Sequence, residues 1–224
     1  PRITSVVAHE EGIKAALWLL ERLENSGEER RNLLIEWVRL LLERPGLIES
    51  LNLPEILMRR ALDKSPNVAV KITLCLAKLT DYNRDLGLKL SQRLIERDEV
   101  EIRRAMADVL TRLFRRLSVD ALPFFEKMLL DDDEVVLAAV SSTVGDLKFF
   151  DTELWAQKML ELSQHNLPLV RRNLVQGLRD YIEMFPEDEK NILPILWSDG
   201  DEVVRTRMRE LLIRMEEVSS DHFA

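Results

Sequence analysis

The sequence predicts an all-α fold: an α-α superhelix of six antiparallel helix pairs with a 34-residue period. Three observations carry this reading. Apolar residues recur at spacings of three and four with almost no alternation of period two, the mark of one-sided helices. Only 7 glycines and 8 prolines interrupt 224 residues, so chain breakers are confined to turns. Finally, Leu34, Val68, Ile102, Val136, Val170 and Val204 stand 34 apart, and the residues four and eight places after each are apolar as well.

The same signals place the elements in order. Residues 8–25 run through "AALWLL" and end at "NSGE"; residues 28–44 hold Leu34, Val38 and Leu42 and stop at "RPG". Residues 53–63 open on "LPE", and 67–80 follow "DKSPN", where a proline fits the first helical turn because its missing N–H is not needed there. "TDYN" precedes 84–97, and 99–117 carries Ile102, Met106 and Leu110. "DDDE" joins 119–130 to 134–148, a turn before Pro168 joins 152–163 to 167–184, and "SDGD" joins 187–198 to 201–218. Offsets of 0, 4 and 8 fall within about 80° of one another at roughly 100° per residue, so every second helix buries the same stripe. The repeats are 8–44, 50–80, 84–117, 118–148, 152–184 and 187–218, followed by a tail at 219–224, all in a single domain over 1–224.

Composition narrows the function. With 32 basic and 40 acidic residues the net charge is −8, and the averaged field disfavours nucleic acid and anionic membranes. The apolar run at 15–20 is far shorter than the roughly 20 residues of a membrane span. The chain starts at Pro1 with no signal-peptide pattern, which reads as a trimmed product or a module of a longer chain. Cys75 is the single cysteine, so no internal disulfide is expected, and a reducing, cytoplasmic setting is.

Three stretches, "LPEILMRRALDKSPNVAV", "ALPFFEKMLLDDDEVVLAAV" and "ILPILWSDGDEVVRTRM", share a Leu-Pro in the first helix, Asp or Asn in the turn, and Val-Arg or an equivalent opening the second helix. In this the chain resembles the HEAT-repeat family, clearly over 50–217 and through the stripe alone over 8–44. The resemblance implies a right-handed superhelix with second helices lining the concave side. It also implies a structural ladder between repeats, to which Asp98/Arg103, the unit around Asp133, and Asp201/Arg205 correspond. Arg171 is expected to pair in the same way. Ala69 and Leu137 stand where arginine is expected, so the ladder should be interrupted there, and repeat one lacks both turn Asp and Val-Arg, as a cap would.

Catalytic, cofactor and metal sites are not spelled out. His9, His165 and His222 are far apart, with no paired cysteines to complete a zinc set. Cys75 lies on the buried stripe and reads as a core thiol; "LDDDE" at 130–134 lacks calcium-loop spacing and reads as a helix-start turn. Trp18, Trp37, Trp155 and Trp197 fall on or beside apolar stripes and are expected in the core.

Two enzyme classes share the architecture. "PLVRRNLVQGLRDY" faintly resembles the arginine-rich helix of DNA-alkylation-repair enzymes, but Gln176 stands where that helix carries a carboxylate. Phycobilin lyases also use HEAT-like repeats, and nothing in this sequence marks a bilin pocket. The expectation is therefore a non-enzymatic adaptor without cofactor, binding another protein or an acidic peptide on its concave face. Two surfaces are candidates. One is apolar, formed by Leu40, Val70 and Leu74. The other pairs arginine ridges, Arg104 with Arg115 and Arg172 with Arg179, around a small-residue trough at Ala138, Ser142 and Gly145.

Overall fold

The computed structural model describes the backbone of residues 2–221 and the side chains of 10–215. The chain is an all-α repeat solenoid, with no strand among the described residues. Its contacts divide into two compact units, Pro1–Phe124 and Phe125–Ala224.

In the first unit α1 (Arg2–Glu24) pairs with α2 (Glu28–Leu41), and a short α3 (Pro45–Ile48) fills the connection. Next come α4 (Leu53–Arg60) with α5 (Pro66–Tyr82), then α6 (Arg84–Ile95) with α7 (Val100–Leu117). The second helices form one layer, α2 on α5 on α7, while α4 meets α6 in the other. A 3-10 turn at Ser118–Ala121 leads into α8 (Leu122–Leu129), within which the unit boundary falls. The second unit holds α9 (Glu134–Ser141), α10 (Thr152–Ser163), α11 (Pro168–Leu174), α12 (Leu178–Met184), α13 (Glu189–Trp197) and α14 (Glu202–Asp221). Here α9, α11 and α14 pack in succession, and α10 packs on α13.

The 34-residue stripe is the core. Of its eighteen positions all are buried except Leu212, which is half-buried on the last repeat where no further helix pair follows among the described residues. Stacking by translation also shows in the polar rim. Glu24 meets Arg59 (2.8 Å), Glu36 meets Lys71 (3.1 Å), Glu43 meets Lys78 (2.9 Å) and Asp81 meets Arg116 (2.7 Å), each pair 35 residues apart. A residue thus reaches its counterpart one repeat on, displaced by a single position.

Several expectations are corrected. The second helices of repeats four and five are not continuous over 134–148 and 167–184. After α9 the chain turns into a 3-10 segment at Val144–Phe149, and Val175–Gly177 forms another between α11 and α12. The cause in repeat four is local: the hydroxyls of Ser141, Ser142 and Thr143 donate in succession to the carbonyls of Ala138, Ala139 and Val140, competing with the helical ladder. Trp18 and Trp197 are not core; they are 59% and 49% exposed, whereas Trp155 is fully buried against Tyr181 and Phe185.

The ladder is also shifted. Asp63 and Asp199, two residues before the positions read from sequence, take two-point arginine pairs; Asp133 caps α9 by accepting from Val135 and Val136, and Asp201 both caps α14, accepting from Val203 and Val204, and takes a two-point pair from Arg172 rather than Arg205. Repeat one does take part: Arg31 Nε and Nη2 donate to the two oxygens of Asp63 at 2.7 and 2.8 Å. The seam at Ala69 is closed from the opposite side, by Arg97 donating to the carbonyls of Ala61 and Asp63. At Leu137 the link is an amide, with Asn173 Nδ2 donating to Ala138 O.

Candidate functional site

No group of three metal-ligating side chains occurs among the described residues. His165 Nδ1 accepts from the Leu167 N–H, making it a turn cap like Asp63, Asp131 and Asp199, each of which accepts from the residue two places on. The side chains of His9 and His222 lie outside the described residues. Cys75 is fully buried, and that burial pushes its thiol up to about 12, leaving no thiolate at neutral pH.

In the first unit the candidate residues lie along three adjacent helices. Leu40 on α2 is 56% exposed and Leu74 on α5 is 47% exposed, at the same offset in successive repeats, with Val70 half-buried a turn away. The ion pairs Glu36–Lys71, between α2 and α5, and Glu43–Lys78, between the turn after α2 and α5, lie a turn to either side of the leucines. Lys71 is the first cause of the lowered Glu36 pKa, so the Glu36 carboxylate stays charged throughout the neutral range. An apolar centre with a charged border is the usual anatomy of a docking patch. On α7, the neighbour of α5, Arg104 and Arg115 are exposed, and the Arg115 guanidinium makes no hydrogen bond or ion pair with any described residue.

In the second unit the arginines are engaged. Arg172 Nε and Nη2 donate to the two oxygens of Asp201 at 2.9 and 2.6 Å, and that contact holds the Asp201 carboxyl far below its ordinary range. Arg171 closes the same two-point contact with Asp199. Arg179 Nε donates to Glu183 at 2.8 Å one turn on, an exposed pair that solvent screens. Two of the arginines in "PLVRRNLVQGLRDY" are therefore held by carboxylates across the repeat seam, and the third by a carboxylate on its own helix.

Sequence reasoning found Ser142 and Gly145 but not the cavity that they line. The 3-10 break after α9 and the one between α11 and α12 face each other. Space for a cavity of about 230 Å³ remains between them, walled by Ser142, Asp146, Lys148, Asn173, Gln176 and Asp180. A Cβ on Gly177 would come to 4.0 Å of Gly145 Cα, ordinary contact distance, so the two backbones run close at its floor. Lys148 Nζ is bonded to Asp180 and lies 5.0 Å from the ring centre of Phe149, itself 71% exposed. A second cavity of about 300 Å³, walled by Val175, Gln176, Arg207, Glu210, Leu211 and Arg214, shares Gln176 with the first. The sequence signal for the break was the run Ser141-Ser142-Thr143 before Gly145.

No protein-family profile matches the chain, and no curated protein sequence matches it. Solved structures do. A designed armadillo repeat protein in complex with the peptide (KR)4 has TM-score 0.58 at 14% identity, with 88% of this chain and 97% of that one covered. A second designed armadillo repeat protein has TM-score 0.55 at 14% identity, with 88% and 98% covered. The TOG domain array that crescerin uses to regulate microtubules in the primary cilium has TM-score 0.50 at 13% identity, with 91% and 89% covered. At these identities the likeness is one of fold: a helical repeat solenoid.

Proposed function

We propose that the chain is a protein-interaction scaffold of HEAT-type repeats that docks a partner segment on its second-helix face. The reading rests on one observation above the rest: Leu40 and Leu74 are exposed at one repeating offset, inside a border of ion pairs. Large apolar side chains framed in this way lose water-exposed area on binding and make the energetic centre of an interface. The arginines of α7 continue the face, Arg115 being available to a carboxylate. The partner segment then carries apolar side chains followed by an acidic residue or a C-terminal carboxylate. In the second unit Ser142, at the end of α9, and Arg179, on α12, are exposed candidates of that unit by itself, while Arg172 serves mainly to hold Asp201. The architecture fits an adaptor, because repeat proteins offer long surfaces without a catalytic constellation.

No helix of the described residues is long and apolar enough to cross a membrane. The structural relatives support the reading in kind, one of them being a repeat protein in complex with a peptide.

The test is affinity capture with the parent, Leu74→Asp, and Arg115→Glu, each checked by circular dichroism for retained helix. The expectation is that Leu74→Asp loses the principal partner and that Arg115→Glu weakens it roughly tenfold, in a salt-dependent manner. Retention of every partner by both folded variants would overturn the proposal.

A further inference from the structure

The two adjoining cavities of the second unit have opposite polarity. The charged residues lining the first are Asp146, Asp180 and Lys148, two acidic and one basic; those lining the second are Arg207, Arg214 and Glu210, two basic and one acidic. Gln176 stands on their common wall with an exposed carboxamide that both donates and accepts. We propose that these cavities form one recognition site for a short peptide segment carrying two opposite charges, a guanidinium in the Asp180 cavity and a carboxylate in the Arg214 cavity. The inference rests on the scaffold reading above and gives the second unit a ligand class of its own.

Each part of the site supplies a specific contact. Lys148 already displays the chemistry of the first cavity: a cation held between a carboxylate and the face of an aromatic ring. Its ammonium bonds Asp180 Oδ2, and the pair is partly exposed, so its attraction is screened by water. A guanidinium offers a planar two-point contact that an ammonium cannot, and it stacks on an aromatic face, so it displaces Lys148 from Asp180. Asn173 spends both amide hydrogens on Ala138 O and Ser141 Oγ, which leaves its Oδ1 as an acceptor. In the second cavity Arg214 meets Glu210 only at 3.7 Å, and Arg207 donates Nη1 to Arg172 O, keeping its other N–H groups for an anion. The 3-10 breaks that open the first cavity occur in the second helices of repeats four and five, whereas α5 and α7 of the first unit run unbroken.

The experiment uses the full chain and a set of fluorescent pentapeptides carrying one Arg and one Glu at spacings of one to three residues, with singly charged and uncharged controls, read by anisotropy. Doubly charged peptides at the favoured spacing are expected to bind at least tenfold tighter than either singly charged set. Asp180→Asn should lose the preference for Arg, Arg214→Gln the preference for Glu, and Lys148→Met should strengthen Arg-peptide binding severalfold. Equal binding of all charge patterns, absence of binding at millimolar peptide, or indifference to Asp180→Asn in a folded variant would overturn the inference. The Leu74→Asp chain separates the two readings: it should bind these peptides as the parent does while losing its partner protein.

Discussion

Arg171 and Asp199, 28 residues apart, close a two-point ion pair in which Nε lies 2.6 Å from Oδ2 and Nη2 2.8 Å from Oδ1. Asp199 also accepts from the Asp201 N–H, so one carboxylate fixes the turn of the last repeat and ties it to the repeat before. Arg31 and Asp63 repeat the arrangement in the first unit, where Asp63 accepts from Ser65 as well.

Removing the cation should therefore cost more than an average surface pair. Arg171→Met leaves Asp199 nearly buried without its partner, an expected loss of about 3–5 kcal/mol. Arg171→Lys should recover only part of it, since an ammonium cannot make the two-point contact. Urea denaturation of the three proteins checks the order.

The same pairs set an acid limit. For Asp199 the Arg171 contact comes first and outweighs burial; for Asp63 burial alone raises the pKa, and Arg31, the Ser65 N–H and Arg60 together overcome it. Both carboxyls are lowered in the folded chain, so their stabilisation is present above the unfolded carboxylate pKa, about 4, and is lost as pH falls through the lower folded values. Thermal melts from pH 6 to pH 2 should show Tm falling below pH 4, and Asp63→Asn should give a lower but flatter profile.

Burial along the stripe predicts a gradient between chemically identical substitutions. Leu178 is fully buried and Leu212, one repeat later at the same offset, is half-buried. Leu178→Ala should cost about 2–5 kcal/mol and Leu212→Ala clearly less. Equal urea midpoints for the two variants would contradict stacking as the source of stability.

Gly87 marks a close helix contact. A Cβ built there would lie 2.1 Å from Thr80 Oγ1 and 2.8 Å from Thr80 Cα, so α6 approaches the end of α5 backbone to backbone. Gly87→Ala should destabilise by about 1–3 kcal/mol. Adding Thr80→Ala should restore only a fraction, because the Cα clash persists after the hydroxyl is gone.

The fold and its period were legible because burial is a one-dimensional signal: each second helix must hide the same three offsets, whatever its neighbours. Val136, Val140 and Val144 announce a buried stripe without any knowledge of contacts. The same holds for Cys75, placed in the core by its position on that stripe. The exposure of Leu40 and Leu74 followed from their offset, but the ion pairs bordering them join residues 35 apart, and the sequence alone does not say which side chains meet across a seam.

Tertiary structure decided what competing partners do with one another. Asp63, Asp131 and Asp199 stand 68 apart, twice the period, yet their role as turn caps, and the two-point pairs of Asp63 and Asp199, depend on the backbone geometry of the turn and on an arginine from the adjoining repeat. Arg172 looked available and is held by Asp201; Trp18 and Trp197 looked buried and are exposed. Helix periodicity fixes which way a side chain faces, since it depends on the chain's own geometry; pairing depends on distances between chain segments that the period alone does not set.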